Sequence, residues 1–255
     1  MARSVLAVLA ALLLFCGAPA ARAQEEATPL PHEEWSFTGA FGTYDPAALQ
    51  RGFQVYKEVC SACHAVKHLY FRDLTQIGYS EDQVKGIAAQ YKVSDGPNDQ
   101  GEMFERPGRP SDPIPGPFKN DEAARAANNG GLPPDLSLIV LARDGGPDYL
   151  YGILTGFKQA PAGFEEVPGT YYNEYFPVHH IKMPPPLNAD QVKFADGTPA
   201  TVPQMAHDVA TFLAWASDPT LDERHHIGFK VILFLVVLTG VFYAAKRKIW
   251  SRVVH

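Results

Sequence analysis

Five consecutive residues, Cys60-Ser61-Ala62-Cys63-His64, place two thiols and an imidazole within one short stretch of chain. A thioredoxin-like redox site with this C-x-x-C spacing needs a βαβ context, and a zinc site needs a second ligand pair, which this sequence does not contain. C-x-x-C-H is the attachment signal of c-type haem, in which both thiols bond to the porphyrin and the imidazole reaches the iron. The stretch therefore predicts one covalent haem c, attached through Cys60 and Cys63, with His64 as an axial iron ligand. A chance match, with a structural disulfide or free thiols, is the alternative.

An iron atom held by one histidine needs a sixth ligand for electron transfer, and methionine or a second histidine is usual. Three methionines follow the N-terminal apolar run: Met103, Met183 and Met205. Met205 lies on the apolar face of a predicted helix, and Met103 lies in a charged loop. Met183 precedes three prolines, which hold the backbone extended and so pre-orient the thioether. We predict Met183 as the sixth ligand, with His179 or His180 as the alternative.

The two ends of the chain predict export and membrane anchoring. Residues 1–23 combine a positive start, a short apolar core and a small-x-small cleavage site, as in a signal peptide. Residues 227–245 form an apolar run that would be about 28 Å long as a helix, close to the bilayer core of about 30 Å. The basic residues in 246–255 would stay in the cytoplasm. We therefore predict a periplasmic domain over 24–226, a transmembrane anchor and a cytoplasmic tail, with a buried core helix as the alternative for the anchor.

Charge is distributed unevenly along the chain. Residues 24–226 carry all 28 Asp and Glu but 15 of the 22 Lys and Arg, so 15 positive against 28 negative charges leave a formal charge of −13. Such acidity argues against nucleic acid and anionic lipid as partners. It favours a basic protein partner, whose docking it would accelerate. Improved solubility is the other explanation.

Short helical patterns separated by long Pro/Gly-rich stretches predict a mainly α fold. One helix should begin at Pro46, after Asp45, and carry its apolar face directly to the C-x-x-C pair. The other predicted helices of the domain cover residues 81–91, 120–128, 135–143, 147–155 and 203–218. The stretches 94–119 and 157–188 are long enough to wrap a cofactor.

Five motifs in order are similar to those of one family: CSACHAVKHLYFRDL, ANNGGLPPDLSLIVLARDGGPDYLYGILTGF, YYNEYFPVHHIKMPPPL, MAHDVATFLAWASDP and ERHHIGFKVILFL. The similarity covers nearly the whole mature chain, from about Trp35 to Arg252. On these motifs the chain resembles the cytochrome c1 family, whose members are the haem c subunits of ubiquinol–cytochrome c oxidoreductase (complex III). The resemblance implies a cytochrome c-like haem domain with one C-terminal transmembrane helix.

The resemblance also implies roles for individual residues. Cys60 and Cys63 would be the thioether attachments, and His64 and Met183 the axial iron ligands. The other implied pocket residues are Arg143 and Tyr149, near the haem propionates, and Asn128 and Pro134, on the histidine side. A carbonyl in that last segment would accept the imidazole N–H, which fixes the tautomer.

The function implied by the resemblance is one-electron transfer from a Rieske iron–sulfur protein to a soluble, basic c-type cytochrome. The chain would work beside a cytochrome b in a dimeric complex of a bacterial inner membrane, and would not be an enzyme on its own. Two alternatives remain open. One is a free-standing membrane-anchored shuttle, which needs a shorter chain, and the other is a haem peroxidase, which commonly has a second C-x-x-C-H and an open iron site.

Overall fold

The structure is a computed structural model that describes residues 28–252, so the predicted signal peptide lies outside the described residues. Its α-helices are α1 Pro46–Glu58, α2 Glu81–Ala88, α3 Asp121–Ala127, α4 Gly146–Thr155, α5 Val202–Ser217 and α6 Leu221–Trp250. Short 3-10 helices occur at Cys60–Ala62, Phe71–Ile77 and Pro177–His179. The mainly α fold class is confirmed.

Two small antiparallel sheets lie within or at the edge of the long loops. Strand β1 (Lys92–Asp95) pairs with β2 (Phe104–Pro107), and β3 (Tyr171–Tyr172) pairs with β4 (His180–Ile181). The predicted loops 94–119 and 157–188 therefore contain short hairpin-like pairings that sequence periodicity did not reveal. Strands of two to four residues are too short to show a period-2 pattern.

The predicted N-caps are observed at the starts of the first two helices. The carboxylate of Asp45 accepts a hydrogen bond from the Ala47 amide at 3.1 Å. Ser80 and Gln83 form a reciprocal capping box: the Gln83 amide donates to Ser80 Oγ, and the Ser80 amide donates to Gln83 Oε1. Helix α2 ends at Ala88, three residues before the predicted end, because the next amides turn back to nearer carbonyls.

The helix predicted over 135–143 is not formed, and the chain there runs through consecutive turns. The carboxylate of Asp135 accepts hydrogen bonds from the backbone amides of Ser137, at 2.9 Å, and of Lys67, at 3.0 Å. The Asp135 carboxylate thus binds the neighbouring segment that contains Lys67, and the backbone here does not form the repeated hydrogen bonds of a helix. An Asp with a Ser two positions later can start a helix or can bind the backbone of another loop, so this pattern does not distinguish the two structures.

Helices α1 and α5 cross at close range in the core. A Cβ atom at Gly52 would lie 2.0 Å from the carbonyl oxygen of Asp208, so only glycine permits this approach. Arg51 donates from Nε and Nη2 to the two carboxylate oxygens of Asp208, at 2.7 and 2.9 Å. Beside this pair, the rings of Phe53 and Phe212 lie 5.6 Å apart. The crossing fixes α1, which leads directly to the predicted haem cysteines.

Within residues 28–252, α6 is the one helix long and apolar enough to cross a membrane. It extends beyond the predicted span 227–245 at both ends, and none of its most apolar stretch is buried. A core helix of a soluble protein would be covered by its neighbours, so the buried-helix alternative does not hold. An exposed apolar helix of this length fits a membrane-anchored protein.

An ion-pair cluster of Arg106 with Asp95 and the buried Asp112 joins the first sheet to the following loop, and it predicts a pH dependence of stability. Arg106 donates from Nη1 and Nη2 to Asp112, at 2.6 and 2.9 Å, and also pairs with Asp95. The Arg106 guanidinium, aided by the Arg109 amide, lowers the pKa of Asp112 to about 2 against the opposing effect of burial.

A carboxylate with a lowered pKa stabilises the fold above its unfolded pKa of about 4, and that contribution is lost as the pH falls toward 2. We expect Asp112→Asn to destabilise the protein by about 1–2 kcal/mol at neutral pH and to flatten the fall in unfolding free energy between pH 4 and 2. Denaturant titrations at several pH values measure this. Asp99→Asn, at an exposed site in the same hairpin, is the control and should retain the wild-type slope. Equal slopes for Asp112→Asn and the wild type would contradict the assignment.

Candidate haem site

The CSACH stretch forms a tight turn at the end of α1. Amide groups of Cys63 and His64 both donate to the carbonyl of Cys60, at 3.1 and 2.9 Å. Both thiols are free, and burial raises the pKa of the Cys60 thiol to about 12. This turn brings two thiols and one imidazole together at the point where a buried helix face ends.

His64 is oriented by a backbone carbonyl. Its Nδ1 lies 2.8 Å from the carbonyl oxygen of Pro134, which leaves Nε2 as the ring nitrogen available to a metal. Burial lowers the pKa of His64, and the hydrogen bond to Pro134 opposes this only in part. A neutral imidazole with Nδ1 donating to a carbonyl is the form that ligates iron. A carbonyl partner of this kind was expected in the segment that contains Pro134.

The segment after Pro134 runs alongside the segment after His64. The Leu136 amide donates to the carbonyl of Ala65 at 2.8 Å, and the His68 amide donates to Ser137 Oγ at 3.1 Å. Together with the Asp135 contact to Lys67, these bonds tie the two segments together residue by residue. Sequence reasoning missed Asp135 and Ser137 as positioning residues because it assigned both to a helix.

A glycine-containing loop connects the histidine side to the segment that carries Met183. A Cβ atom at Gly131 would lie 3.4 Å from Cδ of Lys182, so this loop packs against the residue before Met183. Three residues further on, the same loop reaches His64 through the carbonyl of Pro134. The structure therefore brings the segments of both predicted axial ligands to one loop.

Asn128 lies at the start of this loop, and its side-chain amide makes no hydrogen bond to His64. The side-chain Nδ2 of Asn128 donates to the carbonyl of Ala124 at 2.7 Å, and the backbone carbonyl of Asn128 accepts a hydrogen bond from the Gly131 amide. The side chain thus closes the end of helix α3 and shapes the start of the loop. A direct role for Asn128 in lining the haem pocket stays a prediction.

Arg143 and Tyr149 are neighbours on either side of the start of α4. Burial raises the pKa of Tyr149, and the adjacent Arg143 guanidinium partly offsets this. The Arg143 side chain is exposed, and its Nη1 donates to the neighbouring carbonyl of Ala142. Among residues 28–252, no hydrogen bond joins either residue to His64 or Met183. A cation and a hydroxyl side by side suit a carboxylate such as a propionate, and that role stays a prediction.

The alternative sulfur and nitrogen ligands lie in different surroundings. Met205 is fully buried in the core, whereas Met103 is largely exposed. His179 Nδ1 lies 3.1 Å from the carbonyl oxygen of Asn173, the same type of contact that His64 makes with Pro134, so the Nε2 atom of His179 is also available to a metal. The ring of His180 packs against Phe164. Met183 is half-buried in an irregular segment, and its role as the sixth ligand stays a prediction.

The residues around His64 fit a large, flat apolar cofactor. Leu132, Leu138 and Leu141 are 38%, 44% and 69% exposed, although all three lie in or beside the segment that clamps His64. Three exposed leucines within ten residues of chain, in or next to the segment that orients His64, indicate an apolar surface that a further apolar group could cover. The donor set, two thiols with imidazole and thioether candidates, matches haem c and lacks the four-ligand set of a structural zinc site.

The fold and the site therefore define a c-type cytochrome domain that ends in a helix able to cross a membrane. The Cytochrome C1 family matches residues 35–253. A protein described as cytochrome c1 from Rhodospirillum rubrum is 47% identical over 265 residues, which cover 98% of this chain and 97% of that protein. The chain belongs to the cytochrome c1 family.

Two further relatives extend the comparison. A mitochondrial cytochrome c1 haem protein of Arabidopsis thaliana is 45% identical over 242 residues, covering 94% of this chain and 78% of that protein. A protein described as cytochrome b/c1 from Bradyrhizobium diazoefficiens is 47% identical over 274 residues. The match covers 98% of this chain and 40% of that longer protein. The chain is thus a haem-bearing electron-transfer subunit of the cytochrome c1 type, with covalent haem c as its cofactor.

Proposed function

We propose that this chain passes single electrons from a Rieske iron–sulfur protein to a soluble c-type cytochrome, as a subunit of a dimeric quinol–cytochrome c oxidoreductase. The observation that carries the proposal is the CSACH turn, with His64 held by Pro134, in a chain of the cytochrome c1 family. Bound haem supplies an iron centre that accepts and releases one electron. The chain by itself makes and breaks no bonds in a substrate, and the complex is the enzyme.

The residues of the chain position this centre and tune it. Cys60 and Cys63 would attach the cofactor, while His64 and Met183 would ligate the iron. The Pro134 carbonyl fixes the orientation of the His64 ring, and methionine ligation raises the reduction potential. A high potential suits a donor to a soluble cytochrome.

Cytochrome b is the membrane partner that the comparisons support best. The Bradyrhizobium relative is described as cytochrome b/c1, and this chain matches a part of it. The name of that relative therefore joins a cytochrome b and a cytochrome c1 in one protein. The exposed apolar helix α6 would lie beside such a partner in a bacterial inner membrane. The acidic domain over 24–226 would face the periplasm, and the basic tail over 246–255 the cytoplasm. Cleavage after residue 23 belongs to the same proposal.

A preparation that keeps the membrane partners tests this function. We expect the full chain, purified in mild detergent through a C-terminal tag, to bring a b-type haem with it and to reduce a basic soluble cytochrome c when quinol is added. The rate should fall on the order of tenfold between low and high salt, because the Debye length shrinks from about 30 Å at 0.01 M to about 3 Å at 1 M.

Reduction of a small uncharged acceptor by the same preparation is the control, and its rate should not depend on salt. A chain that purifies without a b-type haem and still exchanges electrons at full rate would support the free-standing shuttle instead. A salt-independent rate with the basic cytochrome would contradict docking on the acidic domain.

A further inference from the structure

An uncharged loop near the N-terminus carries one of the most exposed aromatic rings of the haem domain. We define the interface loop as Ser36–Thr43, with the sequence SFTGAFGT, in which no residue is charged. Phe41 at its tip is 77% exposed, the highest value among the large apolar side chains of the described chain. An exposed phenylalanine without charged neighbours in its own loop suggests contact with an apolar environment.

The interface loop has a defined conformation. The Thr43 amide donates to the carbonyl of Ser36 at 3.0 Å and closes the base of the loop. Phe37 and Tyr44 are buried, and their rings lie 4.9 Å apart, so the base is packed into the domain. The exposure of Phe41 is therefore a property of a fixed tip on a packed base.

The start of α6 holds the same loop. His225 Nδ1 donates to the carbonyl of Gly42 at 2.7 Å, and the Tyr44 amide donates to Asp222 at 3.2 Å. The Tyr44 hydroxyl donates to the carbonyl of Asp218 at 3.3 Å. These bonds involve the residue that follows α5 and the first turns of α6. They fix the position of the loop tip along the axis of that helix.

This position coincides with the start of the apolar part of α6. The rings of Phe41 and Phe229 lie 6.0 Å apart, and Phe229 is the third residue of the apolar stretch that begins at Ile227. The side chains of Phe229, Val231 and Ile232 are all about half exposed or more. The tip of the loop is thus level with the first turn of the helix that would enter the hydrocarbon.

We propose that the interface loop dips into the bilayer surface beside α6 and that Phe41 inserts at the boundary between lipid headgroups and hydrocarbon. The partner is the lipid of the membrane that α6 crosses, on the side of the haem domain. A single helix would leave the domain free to tilt and rotate at the surface. A second contact, held to the helix by His225 and Asp222, would fix the height and tilt of the haem domain above the membrane. This inference rests on the proposed membrane anchoring of α6.

Cysteine accessibility in the full-length haem-loaded chain, reconstituted in phosphatidylcholine vesicles, tests the proposal. Phe41→Cys is compared with Phe104→Cys, an exposed site on β2, and with Val236→Cys, in the middle of α6. The probe is a charged, water-soluble maleimide, and the wild type gives the background. We expect Phe41→Cys to react about tenfold more slowly than Phe104→Cys, since an apolar environment that raises a thiol pKa by about one unit removes about nine-tenths of the reactive thiolate.

The relative maleimide reaction rates of the three cysteine variants test the loop proposal and the anchoring of α6 separately. If Phe41→Cys reacts as fast as Phe104→Cys while Val236→Cys is protected, α6 is anchored and the loop proposal is wrong. If Val236→Cys reacts as fast as Phe104→Cys, the anchoring itself fails, and the loop proposal fails with it. A second measurement distinguishes protection by lipid from protection by protein. A fluorophore is attached to the introduced thiol of Phe41→Cys, and we expect it to be quenched by a lipid that carries a nitroxide just below the headgroup. An absence of quenching would overturn the proposal.

Discussion

Replacing Met183 with leucine is expected to remove the weak long-wavelength absorption band of the oxidised protein and to let the reduced protein bind carbon monoxide. Both changes report the loss of a sulfur–iron bond, because leucine fills a similar volume but offers no lone pair. The reduction potential should fall by on the order of 100 mV, since axial ligands shift haem potentials over a span of about 0.8 V. Spectra of both oxidation states and a redox titration measure these effects.

Two matched controls separate ligation from general damage. Met103→Leu changes a methionine that is 63% exposed, and Met205→Leu changes one that is fully buried. Neither variant should alter the band, although Met205→Leu can lower stability through repacking. If Met183→Leu keeps the wild-type spectrum, His179 or His180 supplies the sixth ligand and the potential is lower than proposed.

Removing the Arg51 side chain is expected to destabilise the domain by about 3–5 kcal/mol, because it leaves a buried carboxylate without its cation. The side chain of Asp208 is completely buried, and without Arg51 its remaining side-chain partner is Gln204, at 3.0 Å. Arg51 also bonds Asp196 in the loop before α5, so one substitution breaks two ion pairs, one of them at the α1–α5 crossing. Denaturant unfolding of Arg51→Ala in detergent, followed by circular dichroism, measures the loss.

Arg72→Ala is the matched control for this experiment. Arg72 is mostly exposed, and its ion pair with Asp73 spans 4.0 Å, so its removal should cost less than about 1 kcal/mol. The double variant Arg51→Met/Asp208→Leu should recover much of the lost stability, since it removes the buried charge together with its partner. A loss for Arg51→Ala no larger than that for Arg72→Ala would show that the pair does not hold α1 in place.

Local patterns predicted most of the helices, because their signals lie within a few residues of chain. Asp45 before Pro46 and the box of Ser80 with Gln83 specify helix starts through short-range hydrogen bonds. The segment 135–143 shows the limit of this reasoning. Its Asp135 accepts a local hydrogen bond from the Ser137 amide, as a helix cap would, but its other carboxylate oxygen binds the amide of Lys67, 68 residues away along the chain. A contact at such separation leaves no trace in one sequence.

The sequence by itself determined the chemistry of this protein. The C-x-x-C-H spacing specifies covalent haem c, and the 19-residue apolar run specifies a helix that can cross a membrane, because both depend on residues that are adjacent in the chain. The tertiary structure alone decided which carbonyl orients His64 and which residue lets α1 approach α5. It also decided that the uncharged loop around Phe41 lies at the start of α6. These three facts depend on residues brought together across 70, 156 and 188 positions, where packing geometry and not local pattern selects the partner.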